Sequence, residues 1–530
     1  MSFRHIIALS RFCIFACIIC WSESLMAQQK TIPLNRNFTQ EVERTMLRDT
    51  AQVVHMASKP FLESAMDLTN VRMLGKDTLK VYSVDQGLLF KHHLLSIRKD
   101  DFFLAVDPLF DFSYGLDLAD KTAYADTVNL FNNQRGLQFL GDIGTKFSFQ
   151  TSFYENQSFL PLYLKNFADT SGVVPGFGRT KPYRNGGFDY AMANGWISYT
   201  PRKWVNIQFG NGKNFIGHGY RSLLLSDAAF SYPYIKATTN FFRNKLQYTA
   251  MYASLQTLER LPLGEVPEAL FKRKGASINY LSWIPNSRIE LGLFEGVIWE
   301  RYDSTGTKPQ PWGAYIPVIG VNTAINGLSS KQNVLVGANL KIKITKNFYV
   351  YGQVALDDSR HGAVGYQAGG KYFDLLINGL DLQVEWNSLG DNMYASAFPL
   401  QSYTHVNQPL GHPTGPATNE LIGILNYRYR RFITQVKYNT FVHSTGPEGS
   451  WMNNPEVVQT NIAAWPVLST SQLDVTAGIY INPKTNVQLL LGYTGRTDKI
   501  NYNWMDDTTN HTSFVYIAFR TNLINRYADF

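Results

Sequence analysis

The stretch "NVLVGANLKIKI", residues 333–344, alternates in polarity with a period of two residues. One side is apolar and carries Val334, Val336, Ala338, Leu340, Ile342 and Ile344. The other side is mixed and carries Asn333, Leu335, Gly337, Asn339, Lys341 and Lys343. Because successive side chains of a β-strand point to opposite faces, the stretch predicts a strand with one apolar face. Residues 380–387 and 487–494 show the same alternation.

The connections between such segments differ in length. Short polar turns, such as 285–287 and 345–347, join the segments at one end. Mostly long connections, such as 211–232 and 392–418, join them at the other end, and 357–362 is the exception. A soluble β-sandwich also alternates in polarity. Short turns on one side and long loops on the other are typical of an outer-membrane barrel.

Counting these segments predicts an all-β transmembrane fold of eighteen antiparallel strands. With an even number of strands, the first strand begins and the last strand ends on the short-turn side, which is the periplasm in this class. The predicted strands are 102–114, 134–143, 147–155, 188–199, 203–210, 234–242, 245–255, 274–284, 288–299, 332–344, 347–356, 363–375, 380–391, 419–427, 431–442, 471–482, 486–495 and 512–523.

The composition agrees with a membrane barrel. Charged residues make up 17% of the 530 residues and aromatic residues 14%, an unusual balance for an exported soluble protein. After the first 27 residues no stretch of about 18 apolar residues occurs, which excludes a transmembrane helix and leaves the closed barrel. The net charge of +8 is dispersed along the chain, so nucleic acid is not an expected partner.

The first 27 residues read as an export signal. Arg4 and Arg11 flank a short apolar run, 12–20, and Ala27 offers a small residue for cleavage. An uncleaved anchor helix fits less well because the run is short. Every cysteine lies in this segment, so we predict neither a disulfide nor a cysteine metal site in the remaining chain. No second ligand cluster accompanies His218, so we expect no metal site and no cofactor. These cysteines are Cys13, Cys17 and Cys20.

Residues 28–101 differ from the barrel, which we expect to occupy 102–530. Asn37 followed by Gln40 resembles a helix start. An apolar stripe follows before Pro60, which predicts a small helical extension in the periplasm. His55 is expected to be a surface or interface residue. The stripe consists of Val42, Met46, Val53 and Ala57.

The stretch 512–530, "TSFVYIAFRTNLINRYADF", alternates over Val515, Ile517 and Phe519. It closes on the aromatic Phe530, which is typical of the assembly signal of outer-membrane barrels. Residues 527–530 continue past the alternating part, so the agreement is incomplete.

One long connection stands out, "FIGHGYRSLLLSDAAFSYPY", residues 215–234. We predict a loop on the extracellular side that folds into the lumen, because Leu223–Leu225 would be costly in water. Arg221 and Asp227 are expected to pair within the confined lumen. Four glycines permit sharp turns and positive φ, namely Gly210, Gly212, Gly217 and Gly219.

The same stretch permits a catalytic interpretation. His218, Ser222 and Asp227 supply the residue types of a hydrolase triad. Triads are defined by geometry, and these residue types commonly fall within a dozen positions, so we favour a structural plug.

A second candidate region lies at the outer end of a strand, where Glu155 and Asn156 occur. Carboxylates and amides beside aromatic rings suit sugar hydroxyls and ring faces. Rim aromatics that seat a barrel in lipid would look the same. The nearby aromatic residues are Phe159, Tyr163, Tyr183 and Tyr190.

Four motifs carry a family resemblance: "NQRG" (133–136), "YENQ" (154–157), "FGNGKNFIGHGYRSLLLSD" (209–227) and "RTNLINRYADF" (520–530). They resemble the Wzi-type capsule-assembly barrels, and most of all the Bacteroidota branch that includes the gliding-motility protein RemB. The resemblance implies an eighteen-stranded outer-membrane barrel with a helical periplasmic piece and no catalytic chemistry. It also implies binding of surface polysaccharide, or a role in gliding.

We therefore predict a non-enzymatic outer-membrane barrel that binds or organises surface polysaccharide. Its expected partners are outer-membrane lipid, the polysaccharide and other envelope or motility proteins. A gated or passive pore, a rim or lumenal hydrolase and an assembly subunit are the alternatives. The candidate residues, plug or rim groups first and ligand contacts second, are Arg135, Glu155, Asn156, His218, Arg221, Ser222 and Asp227.

Overall fold

The computed structural model describes residues 31–49, 52–63, 66, 83–261, 270–303, 306–308, 311–326, 332–357, 363–396, 398–444, 465–502 and 506–530. The predicted export signal lies outside the described residues. Within them the chain forms a closed antiparallel barrel of eighteen strands, which confirms the predicted fold class and strand number.

The strands follow one another around the barrel in sequence order. They are β1 (Phe102–Asp117), β2 (Leu130–Ile143), β3 (Phe147–Phe159), β4 (Gly187–Arg202), β5 (Val205–Gly212), β6 (Tyr232–Phe241), β7 (Leu246–Arg260), β8 (Phe271–Asn286), β9 (Ile289–Glu300), β10 (Asn333–Lys343), β11 (Phe348–Asp357), β12 (Ala363–Tyr372), β13 (Leu380–Leu389), β14 (Thr418–Tyr429), β15 (Phe432–Ser444), β16 (Val467–Asn482), β17 (Val487–Asn501) and β18 (Thr508–Thr521).

Several strands extend beyond their predicted outer ends. β7 continues to Arg260 and β17 to Asn501, past the predicted ends at 255 and 495. Apolar alternation marks only the part of a strand that faces lipid, whereas the backbone ladder continues into the polar region above it. Polarity therefore locates the strands better than it locates their ends.

The barrel closes along β1. Its upper half pairs with β18, from Asp111 opposite Arg520 to Asp117 opposite Phe514. Its lower half pairs with the short strand Leu95–Lys99. The two partners together cover both halves of β1, which removes most of the exposed strand edge that an open sheet would leave.

The apolar faces point outward, as predicted. Leu340 is 37% exposed, Val384 45% and Leu491 63%. The residues next to these in the sequence point inward and are buried, as Asn339 beside Leu340 and Glu385 beside Val384. A bilayer accommodates the apolar outer face, while the polar inner face needs hydrogen-bond partners inside the barrel.

The remaining elements are short. The helices are α1 (Arg36–Arg48), α2 (Val84–Phe90), α3 (Ala123–Thr127), α4 (Leu162–Ser171) and α5 (Val321–Asn326), with 3₁₀ turns at Trp312–Tyr315 and Pro399–Gln401. Two-stranded pieces pair Ser58–Lys59 with Phe215–Ile216, Tyr302–Asp303 with Gly306–Thr307, and Thr404–His405 with Gln408–Pro409, while Lys181–Tyr183 pairs with β4. Among the described helices, none combines the length and apolar character needed to cross a membrane.

Helix α1 lies inside the barrel. Arg44 forms an ion pair with Asp381 of β13. Glu43 accepts hydrogen bonds from the Tyr349 hydroxyl at 3.0 Å and from Lys371 Nζ at 2.8 Å, on β11 and β12. Within the predicted periplasmic extension, α1 therefore enters the lumen, whereas the strand Leu95–Lys99 pairs with the lower half of β1.

The helix is also shorter than its apolar stripe suggested. Asn35, and not Asn37, is the N-cap, and its Oδ1 accepts the Asn37 N–H at 3.0 Å. The helix ends at Arg48, so Val53 and Ala57 lie beyond it. The N–H groups of Met56 and Ala57 donate to Glu290 instead, at 3.0 and 3.2 Å. Contacts with the barrel wall thus outweigh the helical periodicity.

His55 is buried and not at a surface. Its Nδ1 lies 2.7 Å from Ser282 Oγ, and its Nε2 lies 2.8 Å from the Asn244 carbonyl oxygen. The side chain is 7% exposed. It fastens the extended segment that follows α1 to β8 and to the turn before β7.

Phe530 does not end a strand. β18 stops at Thr521, and segment 522–530 turns into the lumen. The Phe530 ring packs on Phe167 of α4, with 4.5 Å between ring centroids, and is 8% exposed. The incomplete alternation over residues 527–530 agrees with this placement outside the last strand.

Candidate functional site in the barrel lumen

Segment 213–231, between β5 and β6, folds into the lumen as predicted, and we call it the plug. Gly217 has a φ of +149°, which a side chain would rarely adopt. A Cβ at Gly219 would lie 2.5 Å from Glu385 Oε2, so close approach to the wall also requires glycine there. Of the four glycines that permit positive φ, Gly210, Gly212 and Gly219 do not adopt it.

The leucine triplet of the plug is buried. Leu223, Leu224 and Leu225 are each 0% exposed and belong to a large apolar cluster inside the barrel. Tyr394 and Tyr403 join this cluster, and their hydroxyls donate to the carbonyl oxygens of Leu223 and Leu224 at 2.9 and 2.7 Å. Burial of the triplet, expected from its cost in water, is confirmed.

The barrel wall receives the plug through side chains that the sequence analysis did not select. Glu385 accepts the backbone N–H groups of Tyr220 and Arg221 at 2.6 and 2.9 Å. Gln353 Oε1 accepts the Leu223 N–H at 2.8 Å. Gln353 of β11 and Glu385 of β13 both lie at inward positions of strands whose side chains alternate in polarity. A carboxylate or amide at such an inward position was therefore the sequence signal for a residue that holds the plug.

Arg221 is the electrostatic centre of the plug and is 0% exposed. Its guanidinium lies 2.8 Å from Glu420 Oε1 and 3.2 Å from Asp529 Oδ1. It also donates to the Asp529 carbonyl oxygen at 2.6 Å. The expected pair with Asp227 is wrong. Asp227 accepts hydrogen bonds from Asn525 at 2.7 Å and from the Tyr527 hydroxyl.

The three residues of the imagined triad have separate roles. Ser222 Oγ donates to the Ile216 carbonyl oxygen at 2.6 Å and accepts the Leu224 N–H at 3.1 Å. His218 Nε2 lies 3.6 Å from Glu290 Oε2. Burial lowers the pKa of His218 to about 3, against the attraction of Glu290, so the ring is neutral at pH 7. Ser222 therefore stabilises the backbone of the plug through its hydroxyl group.

The other three candidates lie on the wall and not beside the plug. Arg135 of β2 and Glu155 of β3 are register partners, and both are exposed on the outer face. Asn156 points inward, is 0% exposed, and donates from Nδ2 to the Tyr190 carbonyl oxygen at 3.2 Å. The structure thus brings Arg135 and Glu155 to one outer position and separates both from Asn156.

Of the aromatic residues considered for the rim, Tyr183 is half-buried, whereas Tyr163 and Tyr190 pack inside the barrel. Tyr163 and Tyr190 are each 5% exposed. The Tyr163 hydroxyl donates to the Ala528 carbonyl oxygen at 3.0 Å, and the Tyr190 hydroxyl lies 2.9 Å from Ser158 Oγ. These rings hold segment 522–530 and the wall together, so they are neither a lipid belt nor an exposed sugar platform.

A cavity of about 420 Å³ remains in the lumen, and we call it the lumenal chamber. It lies between α1, segment 522–528 and the inner faces of β14–β17. Its lining reaches Gly379 and Arg428 near the short turns. At the other end it reaches Leu160 and Phe177 in the long connection between β3 and β4. The chamber therefore extends along much of the barrel height.

The sequence matches no protein-family model and no curated protein. Among solved structures it is similar to Wzi of Escherichia coli, an outer-membrane protein involved in group 1 capsule assembly and a carbohydrate-binding β-barrel. The identity is 14%, the match covers 92% of this chain and 98% of Wzi, and the TM-score is 0.53.

Two further solved structures are more distant. OccAB2 of Acinetobacter baumannii is 11% identical, with 78% of this chain and 97% of that chain covered and a TM-score of 0.42. OprD of Pseudomonas aeruginosa is 8% identical, with 82% and 96% covered and a TM-score of 0.42. The apolar outer face, the closed eighteen-stranded barrel and the likeness to Wzi together show that this chain is an outer-membrane β-barrel.

Proposed function

We propose that this protein is a non-enzymatic outer-membrane barrel that binds or organises a surface polysaccharide. The observation that carries the proposal is the filled lumen. The plug, α1 and segment 522–530 occupy space that a barrel of this size can otherwise leave as a water channel. Because many buried contacts fill its interior, the barrel serves as a rigid scaffold for binding.

The likeness to Wzi supports the class of ligand. That protein is a carbohydrate-binding β-barrel that acts in capsule assembly, and its fold extends over nearly the whole of this chain. Capsule attachment is accordingly the first setting we propose. Gliding motility, which the family resemblance implies, is a narrower proposal for the same polysaccharide-binding activity.

The absence of catalysis is part of the proposal, and the plug geometry supports it. Ser222 Oγ is held by the backbone of its own loop. Asp227 is held by segment 522–530. A nucleophile needs a base within hydrogen-bond reach, and His218 lies instead against Glu290.

The test is binding of polysaccharide isolated from the surface of the producing bacterium to the purified, detergent-solubilised protein. We expect saturable binding by the unheated barrel and none by the heat-unfolded protein. A strain that lacks the protein should release polysaccharide into the medium. Loss of gliding with normal polysaccharide retention would favour the motility setting. A folded barrel that binds no surface polysaccharide would contradict the proposal.

A pore is the second candidate, and the lumenal chamber is the observation that favours it. The chamber is an unfilled space that reaches from the short-turn end toward the extracellular loops. A large, steady conductance from the intact protein, together with absent polysaccharide binding, would place the pore first.

A further inference from the structure

The lumenal chamber has the size of a binding site. Its volume of about 420 Å³ falls in the range of about 300–1,000 Å³ that small-molecule pockets occupy. Several inward wall residues that line it keep part of their surface accessible, among them Asn426, Gln435 and Thr476. Gln435 Nε2 donates to Asn426 Oδ1 at 2.7 Å, and both side chains remain accessible to a ligand in the chamber.

The lining combines amides with aromatic rings. Asn426 and Gln435 face it from β14 and β15, while Asn132 faces it from β2. Tyr220 and Tyr516 add ring surface. Amides donate and accept hydrogen bonds at once, which matches vicinal hydroxyl groups, and ring faces match the apolar faces of a pyranose. The chemistry of the wall is thus suited to a sugar.

Basic side chains outnumber acidic ones in the lining. Eight basic side chains face the chamber against three acidic ones, Glu41, Asp381 and Asp474. Most of these cations have a carboxylate partner, as Lys437 does in Asp529 at 2.8 Å and Arg526 does in Asp111 at 2.6 Å. A lining cation that has no such partner favours an anionic ligand.

Arg36 is the basic side chain of the lining that we select as the contact for an anionic ligand. Its guanidinium carbon lies 3.7 Å from the ring centroid of Tyr220 and 4.4 Å from that of Tyr527. Among the described residues no carboxylate lies within ion-pair distance of it. Its backbone N–H donates to Asn525 Oδ1 at 2.9 Å, which fixes the start of α1 beside the chamber. Arg36 Nη2 also donates to the Tyr220 carbonyl oxygen at 3.4 Å. This hydrogen bond and the two rings hold the guanidinium in place without supplying a negative charge.

We propose that the lumenal chamber binds a short acidic oligosaccharide, with a uronate carboxylate on Arg36 and pyranose rings against the amides and aromatic rings of the wall. The inference rests on the proposed function and names the ligand class and its place. An arginine held by contacts with two rings is preorganised for contact with a carboxylate.

The experiment is a calorimetric titration of the purified full-length protein in detergent with trigalacturonate, with neutral maltotriose as the matched ligand. We expect trigalacturonate to bind and maltotriose to bind about tenfold more weakly or not at all, because a charge-assisted hydrogen bond is lost. Monomeric galacturonate should bind less tightly than the trimer, because it leaves the amide and aromatic wall uncovered.

Two variants address the chamber independently. Arg36→Gln removes the cation and should weaken trigalacturonate binding about tenfold or more. Thr476→Trp fills the chamber from the opposite wall and should weaken binding without touching Arg36. Arg98→Gln is the matched control, because Arg98 also stacks on a ring, with 4.8 Å to the Phe103 centroid, but lies outside the chamber lining. Heat-modifiable migration on gels reports folding of each variant.

Unchanged trigalacturonate affinity in folded Arg36→Gln and Thr476→Trp proteins would overturn the chamber site. Polysaccharide binding that persists in both variants would leave the proposed function standing. Equal binding of maltotriose and trigalacturonate would overturn the acidic class. Failure of the intact protein to bind either trigalacturonate or the surface polysaccharide would overturn both proposals together.

Discussion

Arg221 joins three segments that are far apart in the chain. Its partners, Glu420 and Asp529, are 199 and 308 positions away. All three side chains are fully buried. Removing Arg221 leaves these buried carboxylates with fewer partners, although Asp529 keeps Lys437 at 2.8 Å. The loss of one member of a buried charge pair costs about 3–5 kcal/mol.

Arg221→Ala should therefore lower the thermal transition of the unheated barrel more than Ser222→Ala does. Loss of the Ser222 hydroxyl leaves the Leu224 N–H without its acceptor, at a cost of about 1–3 kcal/mol, whereas the Ile216 carbonyl oxygen keeps its hydrogen bond from Gln353 Nε2 at 3.0 Å. Arg430→Ala, at an exposed position in a short turn, is the control and should change nothing. The measurement is heat-modifiable migration across a temperature series in detergent.

An outcome in which Arg221→Ala is harmless, and Ser222→Ala yields a normally stable barrel without function, would reverse this ranking. It would favour the hydrolase alternative, because a nucleophile can be lost without loss of structure.

The sequence identified the plug residues but not their partners. Glycine spacing and the leucine triplet predict a buried turn-rich segment, since local chemistry alone sets both requirements. The pairing of Arg221 with Asp227 was wrong because proximity in sequence says little about proximity in a closed barrel. Glu420 and Asp529 come close only after the strands have fixed the wall, and no local pattern encodes that.

At the scale of single elements, the stability of each strand in the membrane depends on which of its faces meets lipid. Leu340 of β10 points outward, so Leu340→Arg should cost about 2–4 kcal/mol if the residue lies near the bilayer midplane. Val384→Arg on β13 should behave alike. Leu376→Arg is the matched control, because Leu376 is 90% exposed in the turn between β12 and β13.

The yield of heat-modifiable barrel in outer-membrane fractions measures the effect. Normal yields for both lipid-facing variants, together with protein that stays soluble without detergent, would contradict the membrane placement of these faces.

Strands were more predictable than the elements inside the barrel. A strand between lipid and lumen must alternate, so polarity with period two is imposed on it from both sides. Helix α1 has no such constraint, and its stripe suggested a helix through Ala57. Hydrogen bonds to Glu290 and pairing of Ser58–Lys59 with the plug hold that part extended instead.

At the scale of the whole molecule, the filled lumen predicts low conductance. The plug contributes its three leucines and Arg221 to the fully buried interior, so its removal opens space beside the lumenal chamber. In planar bilayers the intact protein should conduct little, and deletion of 214–228 should raise the conductance. A deletion of 120–126, in the largely exposed connection between β1 and β2, is the control and should not.

High conductance from the intact barrel, or an unchanged value after deletion of 214–228 in a folded barrel, would show that the plug does not close the lumen.

Asn35 donates to Asn522 across 487 positions of sequence, at 3.1 Å, and this contact has a consequence for the order of assembly. Contacts between distant residues form late, because the loop they close is entropically costly until other contacts have shortened it. The wall grows through neighbouring hairpins and closes when β18 pairs with β1. This closure shortens the loop that the contacts of the interior then bridge between both ends of the described chain. A newly closed barrel therefore passes through a stage in which its wall is complete and its interior is still unpacked. During that stage, the unpacked lumen of each molecule is an open channel through the outer membrane. Cells that make a slowly packing variant should become sensitive to large antibiotics even when the amount of mature barrel is normal.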